Sequence, residues 1–191
     1  MKWKLAFAFL FISTFSQAQA CLEGGIHFAS QESINQFPVL YPGCTQIKGN
    51  LSMSGLDIND LSPLNQITKI DGNLWIYFNP SLERLKGLGN VKFVGGFLEI
   101  QNMDVLISLD YLNAIESVGA QLRISENFLI KNLDGLKSIR SIGSNLMIMN
   151  NAVLENIQGL NSIGVIPKNI YIYDNPRLNN LNGLKVLGNC F

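Results

Sequence analysis

From Leu51 to Leu187 the apolar residues alternate between two rhythms. A short tract of the form Gly-Asn-Leu-x-Ile sets apolar residues two apart, and the stretch after it sets them three apart. The tract returns with its first apolar residue at Leu51, Leu74, Leu98, Leu122, Leu146 and Ile170, in steps of 23, 24, 24, 24 and 24 residues. Two places later stand Met53, Ile76, Ile100, Ile124, Ile148 and Ile172. Successive side chains of a strand point to opposite faces, so each tract predicts a short strand with two inward residues. Between tracts the apolar positions are Leu82, Leu85, Leu88, Val91 and Val94 in the second unit and Ile130, Leu133, Leu136, Ile139 and Ile142 in the fourth. The last unit repeats Leu178, Leu181, Leu184 and Leu187. A step of three suits neither an isolated strand nor a long helix. It suits a chain that winds as a flattened coil, turning one side chain inward on each short side. Turn formers fall where corners are needed: Gly49-Asn50, Gly72-Asn73, Gly95-Gly96, Gly119, Gly143, Asn79-Pro80 and Asn175-Pro176.

One such coil cannot bury its own apolar face and must lay it against the next, so six units in register predict a mainly β solenoid. Coils spaced by strand hydrogen bonding, about 4.8 Å apart, would build a stack on the order of 25–30 Å tall. Asparagine recurs five places after the anchor, at Asn79, Asn127, Asn151 and Asn175, with Met103 as the exception. A short amide at a corner bonds to backbone groups left free there, so this column predicts a folding role rather than a binding row.

The first twenty residues have a different character. Lys2 and Lys4 precede an apolar run from Leu5 to Phe15, and Ala18-Gln19-Ala20 forms a small-x-small cleavage site, which predicts an export signal over 1–20 and a mature start at Cys21. A Cys directly after the cut also raises a lipid anchor at Cys21, although Ala18 and Gln19 depart from the usual lipoprotein signal. The run is too short for an ordinary spanning helix, and no later segment approaches the roughly 20 apolar residues such a helix needs. Of 191 residues, 47% are hydrophobic and 15% charged, which disfavours disorder. Fourteen basic residues balance fourteen acidic ones; without Lys2 and Lys4 the balance is 12 minus 14, or −2. That total offers no basic field for a nucleic-acid partner.

The paired Gly-Asn-Leu-x-Ile tracts, the Leu-x-x-Leu-x-x-Leu-x-x-Ile cadence and the opening Cys21 to Cys44 segment together resemble the receptor L domain, the leucine-rich-repeat-like module of insulin and epidermal growth factor receptor ectodomains. Related repeats look like those of exported microbial surface proteins. The resemblance runs from Cys21 to about Leu187. It implies a right-handed β-helix-like solenoid of about six 24-residue coils, capped at its first coil by a disulfide-tied segment. The cysteine-rich module, membrane helix and kinase of the animal receptors are not in this sequence, so hormone signalling does not carry over. On this organisation 21–46 is the cap and 47–191 the solenoid. Cys190 follows the last coil, about a stack height from Cys21 and Cys44, and a disulfide needs Cα atoms within roughly 7 Å. The expected bond is therefore Cys21–Cys44, in keeping with an oxidising compartment. Inside the cap, Ser30 starts a helix with Ile34 and Phe37 on its apolar side and Pro38 at its end. Cys190 and Phe191 could support a contact with another chain, or tuck in as a buried thiol and tail.

Odd positions of the strands point outward. They are Ser52 and Ser54, Trp75 and Tyr77, Glu99 and Gln101, Arg123 and Ser125, Met147 and Met149, and Tyr171 and Tyr173. Trp, Tyr, Met and Arg are enriched at interfaces, so Trp75, Tyr77, Gln101, Arg123, Met147, Met149, Tyr171 and Tyr173 are the candidate ligand residues. Aromatic residues also favour strands and stack along sheets for stability alone. Catalysis lacks its usual constellations. Glu99 is the only acid among the outward strand positions, Glu126 and Asp174 fall two coils apart with Asn150 between them, and His27 stands far in sequence from any nucleophile. No catalytic, cofactor or metal residue is nominated. Asn50-Leu51-Ser52 is a glycosylation sequon whose Asn precedes a tightly paired strand. The reading is an exported, non-catalytic recognition module for an extracellular protein or glycan. The alternatives are a structural cell-envelope component and a polysaccharide-cleaving β-solenoid.

Overall fold

The computed structural model describes residues 19–185, and within them the repeat forms two parallel sheets. A six-stranded sheet contains β1 (Gln19–Cys21), β3 (Cys44–Ile47), β5 (Lys69–Ile70), β7 (Phe93–Val94), β9 (Ser117–Val118) and β11 (Ser141–Ile142). A seven-stranded sheet contains β2 (Ile26–Phe28), β4 (Leu51–Met53), β6 (Leu74–Tyr77), β8 (Leu98–Met103), β10 (Leu122–Asn127), β12 (Leu146–Met149) and β13 (Ile170–Tyr173). The two sheets are entered alternately from β1 to β12, so the chain winds in a solenoid-like path. The six predicted tracts are the strands of the larger sheet other than β2. Their register pairs Leu74 with Leu98, Leu98 with Leu122, Leu122 with Leu146 and Leu146 with Ile170.

Between the sheets lies one continuous apolar core. The predicted inward pairs from Leu51 and Met53 to Leu146 and Ile148 are all fully buried, as are the third-residue positions Leu82 to Val94 and Ile130 to Ile139. The final repeat departs from the pattern: Ile170 and Ile172 are only half-buried and Leu181 is exposed, because among the described residues no further repeat lies over them. Leu187 lies outside the described residues. The third side of the repeat has no sheet. It carries single 3₁₀ turns at Ser62–Leu64, Asp110–Leu112, Asp134–Leu136 and Gln158–Leu160, each burying one Leu. Glycine is required at the corners on steric grounds. A Cβ on Gly143 would overlap the carbonyl of Gly119, and one on Gly119 would overlap that of Gly95.

The amino-terminal segment does more than cover the open core. Its β1 and β2 are the first strands of the two sheets, and helix α1 (Gln31–Leu40) packs Ile34 and Phe37 beneath them. Ser30 caps the helix: its hydroxyl accepts from Ser33 N while the Ser33 hydroxyl accepts from Ser30 N. Pro38 does not end the helix, as the sequence suggested. It sits inside the last turn, which continues to Leu40 and closes with Tyr41 N donating to Phe37 O at 2.9 Å. Phe37 anchors that turn against Phe28 and Tyr41, with ring centroids 5.8 and 5.6 Å away. Cys21 and Cys44 form the expected disulfide across β1 and β3, their Cα atoms 5.7 Å apart. Of the expected leader over 1–20, only Gln19 and Ala20 are described, and they begin β1.

The asparagine column is a buried ladder. Asn151 Nδ2 donates to Ile124 O at 3.0 Å in the preceding repeat, and its Oδ1 accepts from Asn127 N at 3.2 Å. Asn175 repeats the pattern toward Ile148 O and Asn151 N, at 2.9 and 3.1 Å. Each side chain thus satisfies backbone groups that the corner would leave unpaired. Met103 interrupts the ladder: its sulfur lies 3.8 Å from Asn79 Nδ2, and Asn127 Oδ1 is buried without a donor among the described residues. Removing a rung by Asn151→Ala should cost about 3 kcal/mol. Met103→Asn, which supplies the missing donor, should raise stability by about 1 kcal/mol. Paired chemical melts check both signs.

On the outer face of the six-stranded sheet, Asp71 binds Lys69 at 2.8 Å and Lys48 at 3.1 Å. The hydrogen bond from Lys69 does most to hold its carboxyl down, to about 2; partial burial opposes, and Lys48 and Gln46 add to the lowering. A carboxyl more acidic in the folded than in the unfolded chain contributes stability above its unfolded value of 3.8 and loses it as pH falls toward 2. Thermal melts across that window should show a steeper acid loss in the native protein than in Asp71→Asn.

Candidate functional site

The register of the seven-stranded sheet brings the outward residues into two columns. The first runs His27, Ser52, Trp75, Glu99, Arg123, Met147 and Tyr171; the second runs Tyr77, Gln101, Ser125, Met149 and Tyr173. All eight candidate ligand residues therefore share one face. They do not form one apolar patch. In the middle, Arg123 Nη1 pairs with Glu99 Oε1 at 3.3 Å, Arg123 Nε donates to Ser125 Oγ at 3.0 Å, and Gln101 Nε2 donates to Glu126 Oε1 at 3.1 Å. These polar groups satisfy one another and divide the face.

An aromatic patch lies on each side of that polar band. On β6, Trp75 is half-buried and Tyr77 is 40% exposed. On β12 and β13, Met147 is half-buried and Tyr171 and Tyr173 are exposed. Trp75 and Met147 are three strand spacings apart, about 14 Å. Met149 is a correction to the sequence reading. It is 4% exposed, because Tyr173 leans back across it and donates its hydroxyl to the Met149 sulfur at 2.8 Å. Met149 supports Tyr173 instead of meeting a ligand. Tyr171 is also held, its hydroxyl accepting from Asn169 Nδ2 at 3.0 Å.

Phe78 belongs to the first patch and is missed by a rule that selects alternate strand residues. It follows Tyr77 directly, is 50% exposed and has φ 52°. The equivalent positions carry Asn102, Glu126, Asn150 and Asp174, all with left-handed φ. Asn and Asp tolerate that conformation with little penalty and an aromatic residue does not. The available signal was a large apolar residue where the other repeats place a polar one.

Strand pairing also brings His27 beside Ser52, with Nδ1 and Oγ 2.9 Å apart. Sequence separation had hidden this contact. Gly25, Asn50 and Trp75 help form a shallow hollow of about 200 Å³ around it. Among the described residues no carboxylate bonds to the imidazole to orient it, so the pair extends the Trp75 patch with one donor and one acceptor. Glu99 is committed to Arg123 and Glu126 to Gln101, so neither is presented free on the face. The sequon Asn50 is half-buried and its Oδ1 accepts from Asn73 N at 2.9 Å. Cys190 and Phe191, the candidate self-association contact, lie outside the described residues. Among the described residues, no helix is long and apolar enough to cross a membrane.

No curated protein and no solved structure matches the chain. Residues 43–107, from just before β3 to the loop after β8, match the family model described as Receptor L domain.

Proposed function

We propose that the chain is an exported, non-catalytic recognition module that holds an extracellular protein or glycan against its seven-stranded sheet, one side of a right-handed solenoid of six 24-residue coils. The observation that carries this reading is the pair of aromatic patches on one flat face, Trp75, Tyr77 and Phe78 at one end and Met147, Tyr171 and Tyr173 at the other. Exposed aromatic groups on a rigid scaffold lose little side-chain entropy on binding and contribute large contact areas. The family match over 43–107 supports a binding role, and the Cys21–Cys44 bond suits an oxidising compartment. The Arg123–Glu99 pair between the patches would set register by rejecting partners that cannot match its charges.

The reading as a structural envelope component draws on one observation, the bonding of Tyr171 to Asn169 and of Tyr173 to Met149, which makes those rings part of the sheet's own packing. The two readings separate when a glycan and protein array is probed with the wild-type chain and with Trp75→Ala and Tyr171→Ala. Recognition predicts a ligand whose capture weakens at least about tenfold in each variant, with melting temperature held within about 2 °C. Loss of stability with unchanged capture, or silence across the array, supports the structural component. Phe78→Asn gives opposite signs in the two measurements. Relief of its backbone conformation should add about 1 kcal/mol of stability, while loss of the ring weakens capture; a variant that is both less stable and equally good at capture removes Phe78 from the site.

A further inference from the structure

A second surface, separate from the aromatic face, lies where the 3₁₀ turns lead into the six-stranded sheet. It is a polar groove of about 790 Å³. Two columns of the repeat line it. One carries Lys92, Glu116 and Arg140, and the other carries Asn113, Lys137, Asn161 and Lys185. Its floor is low for an identifiable reason. In the earlier repeats the corner position holds a long amide that reaches back to the preceding repeat: Gln66 Nε2 donates to Tyr41 O at 2.9 Å and Asn90 Nδ2 to Asn65 O at 2.7 Å. Next in that column come Ala114, Ser138 and Ser162. Alanine cannot make the reach and serine is too short, so the column sinks and the groove opens.

Charge in the groove is periodic. Lys92 occupies one repeat, Lys137 and Arg140 the second repeat beyond it, and Lys185 the second beyond that. The repeats between them present Glu116 and Asn113, then Asn161 and Ser162, with no cation in either column. Repeats stack at about 4.8 Å, so the cationic levels recur every 9.6 Å or so. The total charge of the chain conceals this local excess of four cations over one anion.

We propose that this groove binds an extended acidic polysaccharide bearing one carboxylate or sulfate on every second sugar. A sugar in an extended chain advances by about the height of one repeat, so its acidic groups would meet the lysine and arginine levels. Its neutral sugars would place hydroxyls against Glu116, Asn113, Asn161 and Ser162, which can accept from them. A nucleic-acid strand fits poorly on two counts: it carries a phosphate on every nucleotide, one of which would face Glu116, and the groove has no aromatic side chain on which bases could stack.

The test titrates the intact chain with four polymers at two salt concentrations, following binding by biolayer interferometry. Hyaluronan carries a carboxylate on alternate sugars, polygalacturonate carries one on every sugar, dextran is neutral, and oligothymidylate represents single-stranded nucleic acid. The expected result is salt-sensitive binding of hyaluronan at least about tenfold tighter than of the other three. Lys137→Gln with Arg140→Gln should weaken it about tenfold, while Lys86→Gln, which lines a different hollow with Ser62, Ser81 and Arg84, leaves it unchanged. Glu116→Lys should erase the preference for hyaluronan over polygalacturonate, because it fills a level that lacks a cation. Equal affinity for both acidic polysaccharides in the native chain, tighter binding of oligothymidylate, an equal loss from Lys86→Gln, or silence toward all four polymers would overturn the proposal. Thermal melts of each variant confirm that it is folded. Because the aromatic face is untouched by these substitutions, array capture through Trp75 reports on that reading independently.

Discussion

Parallel hydrogen bonding between successive repeats is the constraint on which every other feature rests. It places a residue over its equivalent, so that leucine meets leucine at 74, 98, 122 and 146 and the apolar columns close into one core. The same alignment multiplies any local liability, since a buried polar group or a bulky corner residue would recur at every level. Two devices meet that demand. The asparagine ladder satisfies corner backbone groups from within the core, and the glycine corners let one backbone lie directly on the next. Both are properties of the stack, without meaning for one repeat in isolation.

Much of the fold was legible because a 24-residue step repeated in register averages out the ambiguity of any one short apolar run. The strands β4, β6, β8, β10, β12 and β13, the inward leucines and isoleucines and the folding role of asparagine were all readable on that basis. The six-stranded sheet was not, for β5, β7, β9 and β11 have only two residues each and show the same three-residue spacing as the sheetless side. Pro38 misled for a different reason: tertiary contacts of Phe37 carry the helix through a residue that usually ends one. The family match reaches only 43–107, whereas the register of the seven-stranded sheet continues with the same step as far as Tyr173.

The candidate face shows where one-dimensional reading stops. Alternation along each strand selected which side chains point outward, and all eight fall on one side of the sheet. It could not tell that Arg123 would turn to Glu99 and Ser125, or that Tyr173 would cover Met149, since those are contacts between neighbouring strands. The His27–Ser52 contact and the groove beside the six-stranded sheet were hidden in the same way. Their residues come from successive repeats, which become neighbours only through stacking. Net charge is a poor guide in such an architecture, because the period of the repeat sorts charges by side and by level.

The glycine corners carry a consequence for how such a chain can vary. With backbone resting on backbone at Gly95, Gly119 and Gly143, there is no side chain at that seam to absorb a misfit. An insertion of one or two residues between seams can bulge only toward the loops on the sheetless side, whereas adding or deleting an entire unit leaves every remaining seam with the same neighbour it had before. Length in this architecture is therefore quantised, and the reach of any surface built along its axis lengthens or shortens in whole rungs.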